Sequence, residues 1–204
     1  MKMALNNHLK LEAFAQLTKE IYECRKCSLW KTRKRPVVGD GDTNACIILV
    51  GEAPGYWEDV EGKPFIGAAG KLLNEFLKKV GLSRESIYIT NVVKCRPPGN
   101  RDPHPEEIKA CGPYLDRQLD LIRPKVIVPL GRHSTSYIFS KAGVPFKSIS
   151  EVQGKIFEAM FWETKTYLIP SYHPAVALYR VKLRSDIERA LSLAAKILNN
   201  QIMI

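Results

Sequence analysis

Apolar and polar positions along this chain fall into blocks of two different periods. From Leu9 to Tyr22, Leu9, Phe14, Leu17 and Ile21 recur near one face at helical spacing, which predicts an amphipathic helix running directly into Cys24. Four short apolar runs follow, Ala45 to Gly51, Ile87 to Val93, Val126 to Gly131 and Tyr167 to Pro170. Each is rich in Ile, Val, Leu or Tyr and flanked by Gly, Pro or Asn, the pattern of buried strands. Helical periodicity fills Ala69 to Val80, Pro105 to Ile122 and Arg132 to Ala142, and Val181 to Asn199 closes the chain as another amphipathic helix.

Strands alternating with helices imply a parallel sheet covered on both faces. The expected fold is therefore α/β, a three-layer α/β/α sandwich with a central four-stranded parallel sheet, as a single domain over residues 1–204. Ligands of such sheets bind beyond the carboxyl ends of the strands, where the connecting loops open a crevice. No internal repeat or low-complexity tract interrupts the pattern. The one irregular stretch, Arg96 to Pro105, is proline-rich and polar, as a functional loop would be.

Composition narrows the partner. With 45% hydrophobic residues the chain has enough apolar content to close a core. Lys and Arg number 31 against 21 acids, a net charge of +10. That surplus favours a polyanion through phosphate contact and counterion release, although it also serves solubility and does not decide the matter alone. No apolar run is long enough to span a bilayer, and Met1 to Phe14 lacks a cleavable apolar leader, so a cytoplasmic protein that uses no membrane is expected. In a reducing compartment five cysteines point to metal ligation or buried thiols rather than to disulfides.

Cys24-Arg-Lys-Cys27 is a CxxC just after a helix, and Cys95 and Cys111 follow with fifteen residues between them. A lone CxxC also fits a redox pair or a zinc knuckle. Structural zinc sites usually present two close pairs, whereas cluster-binding thiolates are often gathered from distant segments, so the spacing leans toward a cluster and leaves zinc open. Cys46, inside the first apolar run, is expected to be a buried thiol outside the site.

The strand ends carry the remaining chemistry. The first strand runs into Gly51-Glu52-Ala53-Pro54-Gly55, followed by Pro64-Phe65-Ile66-Gly67-Ala68-Ala69-Gly70 at a helix start. The second carries Thr90-Asn91-Val92-Val93-Lys94-Cys95, and the last ends in Ser171-Tyr172-His173-Pro174. A carboxylate, an aromatic ring, an amide and an imidazole thus converge, which are the groups a flipped pyrimidine needs for stacking and for its Watson-Crick edge. Backbone N–H groups at Gly67 to Gly70 and at Gly131 to Ser134 can approach phosphate at helix starts, with close helix packing as the competing use of those glycines.

The joint order of the CxxC, GEAPG, PFIGAAG, TNVVKCRPPGNRDP and SYHP segments resembles the family 4, iron-sulfur uracil-DNA glycosylases from Cys24 to the C-terminal helix. The resemblance implies a 4Fe-4S cluster on Cys24, Cys27, Cys95 and Cys111. It implies that Asn91 reads uracil, that Phe65 stacks under the base, and that His173 donates to uracil O2. Glu52 would organise the pocket or the attacking water with help from Asn100, and Ala53 stands where other branches carry a catalytic aspartate. Gly67, Gly70, Gly131 and Ser134 would touch the DNA backbone, and Val176, Leu178 and Arg180 lie in the segment matching the minor-groove insertion loop. Family members commonly carry a serine after the His-Pro pair, and Ala175 departs from this.

The activity so implied is monofunctional: uracil is excised from single- or double-stranded DNA, an abasic site remains, and a monomer acts without a nucleotide cofactor. Glu58, a further acid of the first loop, reads as a surface residue. Two other readings remain at this level. One is a glycosylase of the same fold for another damaged base, against which Asn91 and Phe65 argue. The other is a non-catalytic metal-stabilised nucleic-acid-binding module, against which Glu52, Asn91 and His173 argue together.

Overall fold

The computed structural model of the protein describes the backbone of residues 2–199 and the side chains of residues 8–199. Four strands, β2 (Ile47–Gly51), β3 (Tyr88–Asn91), β4 (Val126–Pro129) and β6 (Thr164–Leu168), are mutually parallel and form the inner sheet in the order β3-β2-β4-β6. Every residue of β2, β3 and β4 is buried, as expected of strands covered on both faces. Side chains alternate between the two layers. Ile48, Val50 and Ile127 pack against Leu17 and Ile21 of α1 (Lys2–Glu23), Leu115 of α4 (Pro105–Ile122) and Phe139 of α5 (Arg132–Ala142). Ile47, Leu49 and Val128 pack against Leu73 and Phe76 of α3 (Ala68–Lys79) and Leu191 of α8 (Arg184–Leu198). Truncating a fully buried side chain such as Leu73 to alanine removes about 2–5 kcal/mol of stability.

The sheet has six strands rather than the four expected, because two antiparallel edges flank the parallel core. β1 (Asp40–Gly41) is only two residues long and carries no apolar signal. β5 (Phe157–Phe161) pairs with β6 across the turn Trp162-Glu163, where both residues have positive φ, 52° and 61°. A two-residue hairpin of this shape normally announces itself by Asn or Gly, and neither is present. Here Trp162 is held instead by its indole N–H, which donates to Asp120 at 2.7 Å. Short helices α2 (Tyr56–Glu61), α6 (Ile149–Val152) and α7 (Val176–Tyr179) complete the chain. None of the described helices is long and apolar enough to cross a membrane.

Parallel pairing places the carboxyl ends of the inner strands along one edge. Gly51 lies opposite Asn91, and Leu130 bridges Ser171 beyond the end of β4. The segments after these positions, 52–55, 92–104, 131–133 and 171–175, therefore surround a common crevice.

Candidate active site

A cavity of about 440 Å³ opens at this edge and is lined by Glu52, Ala53, Phe65, Asn91, Asn100 and His173, so all six residues expected to act on the base are brought together. Asn91 forms its floor at the end of β3 and is 2% exposed. Its side-chain carbonyl Oδ1 is buried and has no hydrogen-bond partner. An orphan acceptor of this kind costs about 1–3 kcal/mol, which a donor on a ligand would return. Gly51 permits the arrangement: a Cβ there would collide with Asn91 Oδ1 and with the Phe65 ring.

Phe65 adopts a positive φ of 51°, a conformation that a bulky residue holds only under constraint. Arg84 supplies part of that constraint by donating to the carbonyls of Pro64 at 2.8 Å and Phe65 at 3.0 Å. Gly70 supplies another part, since any Cβ would collide with the Phe65 carbonyl. The Phe65 ring stacks with His173 at 5.5 Å between centroids and 29° between planes.

Desolvation holds the His173 imidazole well below the usual histidine range, at about 4, with Glu58 opposing that shift. Its Nδ1 accepts the backbone N–H of Ala175 at 3.2 Å. A neutral ring accepting at Nδ1 carries its proton on Nε2, so the nitrogen left over is a donor.

Three further polar residues, Glu58, Asp102 and His133, join the site without having been singled out for it. Glu58, read above as a surface acid, instead forms a wall of the cavity, and its Oε1 accepts the N–H groups of Ile66 at 2.9 Å and Gly67 at 2.8 Å. His133 lies with its Nε2 at 3.0 Å from Asp102 and 4.0 Å from Glu52. Burial raises the Glu52 carboxyl above its ordinary range, partly opposed by the charges of His133 and Arg132. The only available hint was that GNRDP and GRHS each close a strand-end segment.

The residues expected at DNA lie around this cavity and do not line it. Gly67 caps α3 with its N–H held by Glu58, and Gly70 is buried beneath Phe65. Gly131 has φ 98° and donates to Ser171, while Ser134 is buried with its hydroxyl on the Gly131 carbonyl. Val176 is half-buried, and Leu178 and Arg180 are exposed in and after α7. Asn100 has φ 56° beside Gly99, and its Oδ1 accepts from Arg96 at 2.7 Å.

Beside this cavity Cys24, Cys27, Cys95 and Cys111 surround a second one, together with Ile21, Trp30 and Tyr114. Two of the sulfurs accept hydrogen bonds of 3.1 Å, Cys95 from the Arg33 guanidinium and Cys111 from the Lys94 backbone N–H. Burial raises the Cys27 and Cys95 thiols and pushes Cys111 up to about 12. Buried thiolates need a cationic centre nearby, and an all-sulfur donor set with N–H groups aimed at sulfur fits a soft metal group. Cys46 lies outside this group. Contrary to the expectation of a buried thiol it is exposed, because it sits just ahead of β2 and not within it.

Residues 38–194 match the uracil DNA glycosylase superfamily. The type-4 uracil-DNA glycosylase of Sulfurisphaera tokodaii is 53% identical over 179 residues, covering 87% of this chain and 81% of that protein. Those of Archaeoglobus fulgidus and Saccharolobus solfataricus are 53% and 52% identical, covering 87% and 83% of this chain and 89% and 79% of theirs. With its strand-end cavity and its cysteine quartet in these positions, the chain belongs to the uracil DNA glycosylase superfamily, in its type-4 group.

Proposed function

We propose that this protein excises uracil from DNA by hydrolysing the N-glycosidic bond, leaving an abasic site. The observation that carries the reading is the buried, unpartnered Oδ1 of Asn91 at the cavity floor. Uracil offers it the N3 proton and accepts at O4 from the amide NH2, whereas cytosine reverses both polarities and leaves buried groups unpaired. Phe65 supplies the ring against which the flipped base lies.

As the bond from C1′ to N1 breaks, its electron pair leaves on the base and charge gathers on O2. The neutral His173 donates from Nε2 to that oxygen without needing to be protonated first. Water then adds to the sugar cation and gives up its proton. Glu52, made more basic by burial, stands at the cavity to receive it, with Asn100 at the rim to help place the water. No lysine is among the cavity residues, and the buried Lys94 Nζ is engaged with Thr90, with Gln118 and with the Asn91 carbonyl, so water is the nucleophile in this reading and the strand is not cut. Val176, Leu178 and Arg180 with the exposed Tyr179 would meet the duplex, and backbone groups near Gly67, Gly70, Gly131 and Ser134 would meet its phosphates. A monomer is expected to suffice.

The four cysteines would hold a 4Fe-4S cluster. Four thiols gathered from three separate segments around one cavity, with N–H groups of Arg33 and Lys94 on two of the sulfurs, suit a cluster better than the two close ligand pairs of a structural zinc site. Such a cluster supplies a cross-link between the helix end at Cys24, the β3 extension at Cys95 and α4 at Cys111. Cys95 extends the segment carrying Asn91 and Cys111 closes the loop carrying Asn100, so the quartet scaffolds the pocket.

The test is a uracil-excision assay on single- and double-stranded oligonucleotides without added metal or nucleotide, run beside a panel of other damaged bases and the visible spectrum of the protein. Uracil release with an abasic product supports the reading. Preference for another base moves the assignment to that base, and failure on every substrate sinks it.

A further inference from the structure

On the rim of the cavity, between Gly55 and Glu58 that line it, two aromatic side chains stand in solvent: Tyr56 is 44% exposed and Trp57 is 59% exposed. Two adjacent exposed rings at the mouth of a cavity form a contiguous apolar patch, the kind of surface that marks a contact site. The two meet edge-on, 5.2 Å between centroids and 83° between planes, so Tyr56 props Trp57. Trp57 is also placed over Gly67, where its Cδ1 would lie 3.7 Å from a Cβ. The Lys34 ammonium and the Arg96 guanidinium each sit 5.1 Å from the Tyr56 ring centre. The mount is rigid: Asp59 is 2% exposed and accepts the Lys34 backbone N–H at 3.0 Å, and Arg96 is tied to Asn100 at 2.7 Å.

We propose that Trp57, propped by a Tyr56 ring that itself packs against Lys34 and Arg96, is a stacking platform for an unpaired base of the DNA strand next to the nucleotide in the pocket. The reading of the pocket supplies the identity of the partner, and the inference rests on it to that extent. Exposed aromatic faces combined with cations are the chemistry of single-strand binding: the ring takes any base, and the cations take the phosphates on either side. Anchoring a neighbouring base there would hold the strand unstacked while the adjacent nucleotide is turned into the cavity.

The platform is tested apart from excision with a uracil-free single-stranded oligonucleotide. Binding should quench tryptophan fluorescence in the wild-type protein. Trp57→Leu should abolish most of that quench and weaken affinity at least about fivefold, as expected for loss of one stacked base. Trp162→Phe, away from the site, should change neither. In the excision assay Trp57→Leu should raise KM with kcat nearly unchanged, and more on single-stranded than on duplex substrate. Circular dichroism on each variant guards against misfolding, and the milder Trp57→Phe should restore most of the affinity. Unchanged oligonucleotide affinity in folded Trp57→Leu overturns the platform, as does a wild-type protein that does not bind the oligonucleotide. A loss seen only with Lys34→Ala and Arg96→Ala also overturns stacking in favour of charge alone. Stacking without uracil release would leave the platform standing and remove the glycosylase reading.

Discussion

His173 Nδ1 accepts the Ala175 backbone N–H at 3.2 Å, and this one contact fixes which nitrogen of the imidazole faces the cavity as a donor. His173→Ala should lower kcat by about 10² to 10³, the usual loss for one donor to a developing oxyanion, with a smaller change in KM. Single-turnover excision kinetics measure it.

The same imidazole makes a pH prediction. Its folded pKa, about 4, lies below the ordinary 6.5, so between those values the unfolded chain binds the extra proton and the folded one does not. Stability linked to His173 is therefore complete above about pH 6.5 and falls as pH drops toward 4. Urea denaturation at about pH 7 and about pH 5 should show a smaller loss for His173→Ala than for the wild type. Chemistry that needs the neutral imidazole should persist across the same interval.

Asn91 is expected to separate stability from activity. Its Oδ1 has no partner in the folded protein, so Asn91→Ala removes a buried unsatisfied acceptor rather than a hydrogen bond. The melting temperature should hold or rise, while kcat/KM for uracil falls by about two orders of magnitude or more. A variant that loses activity only because it melts would contradict the assignment of Asn91 as the reader.

Much of this is legible in the amino-acid sequence. The four inner strands and the long helices follow from apolar runs and periodicity because burial on both faces leaves an uninterrupted signal, as Ile47 to Gly51 shows. The edges were not legible, since Asp40 and Gly41 form a strand by pairing alone and Trp162 and Glu163 turn without a turn residue. In the site, the residues expected to act on the base come together because each terminates or follows an inner strand or borders its loop. Glu58 reads as a surface acid in the sequence because carboxylates in loops are mostly solvated, and only the fold turns it toward the backbone of Ile66 and Gly67. The approach of Asp102 to His133 links segments far apart in sequence, and no periodicity encodes it.

Between Cys95 and Cys111 the loop is pinned by Arg101 and Glu107, whose side chains meet through two hydrogen bonds of 2.7 and 2.9 Å. Glu107 also accepts the His104 backbone N–H at 2.8 Å, and the Arg101 guanidinium leads in holding its carboxyl at about 2. A depressed carboxylate contributes stability above its unfolded value near 4.5 and loses it as pH falls toward 2. Glu107→Ala should cost about 1 kcal/mol, chiefly by leaving the start of α4 without the carboxylate that accepts the His104 N–H. Chemical denaturation measures that loss, and part of the wild type's acid sensitivity should vanish in the variant.

The cysteines divide into four that surround one cavity and one that does not, and the division predicts opposite outcomes for the same substitution. Cys111 is buried with its sulfur facing the Lys94 N–H, and Cys46 is exposed ahead of β2. Cys46→Ser should leave iron content, visible absorption and melting temperature unchanged. Cys111→Ser should lower all three, because a hydroxyl is a poor replacement for thiolate at a soft metal site. Since Cys95 and Cys111 bracket the loop that carries Asn100 and Arg101, the loss should reach the pocket as weaker uracil binding before the chain as a whole melts. Iron and sulfide analysis after anaerobic purification, set beside excision kinetics, decides the point. Bound zinc without visible absorption would replace the cluster, and equal effects from Cys46→Ser and Cys111→Ser would undo the quartet.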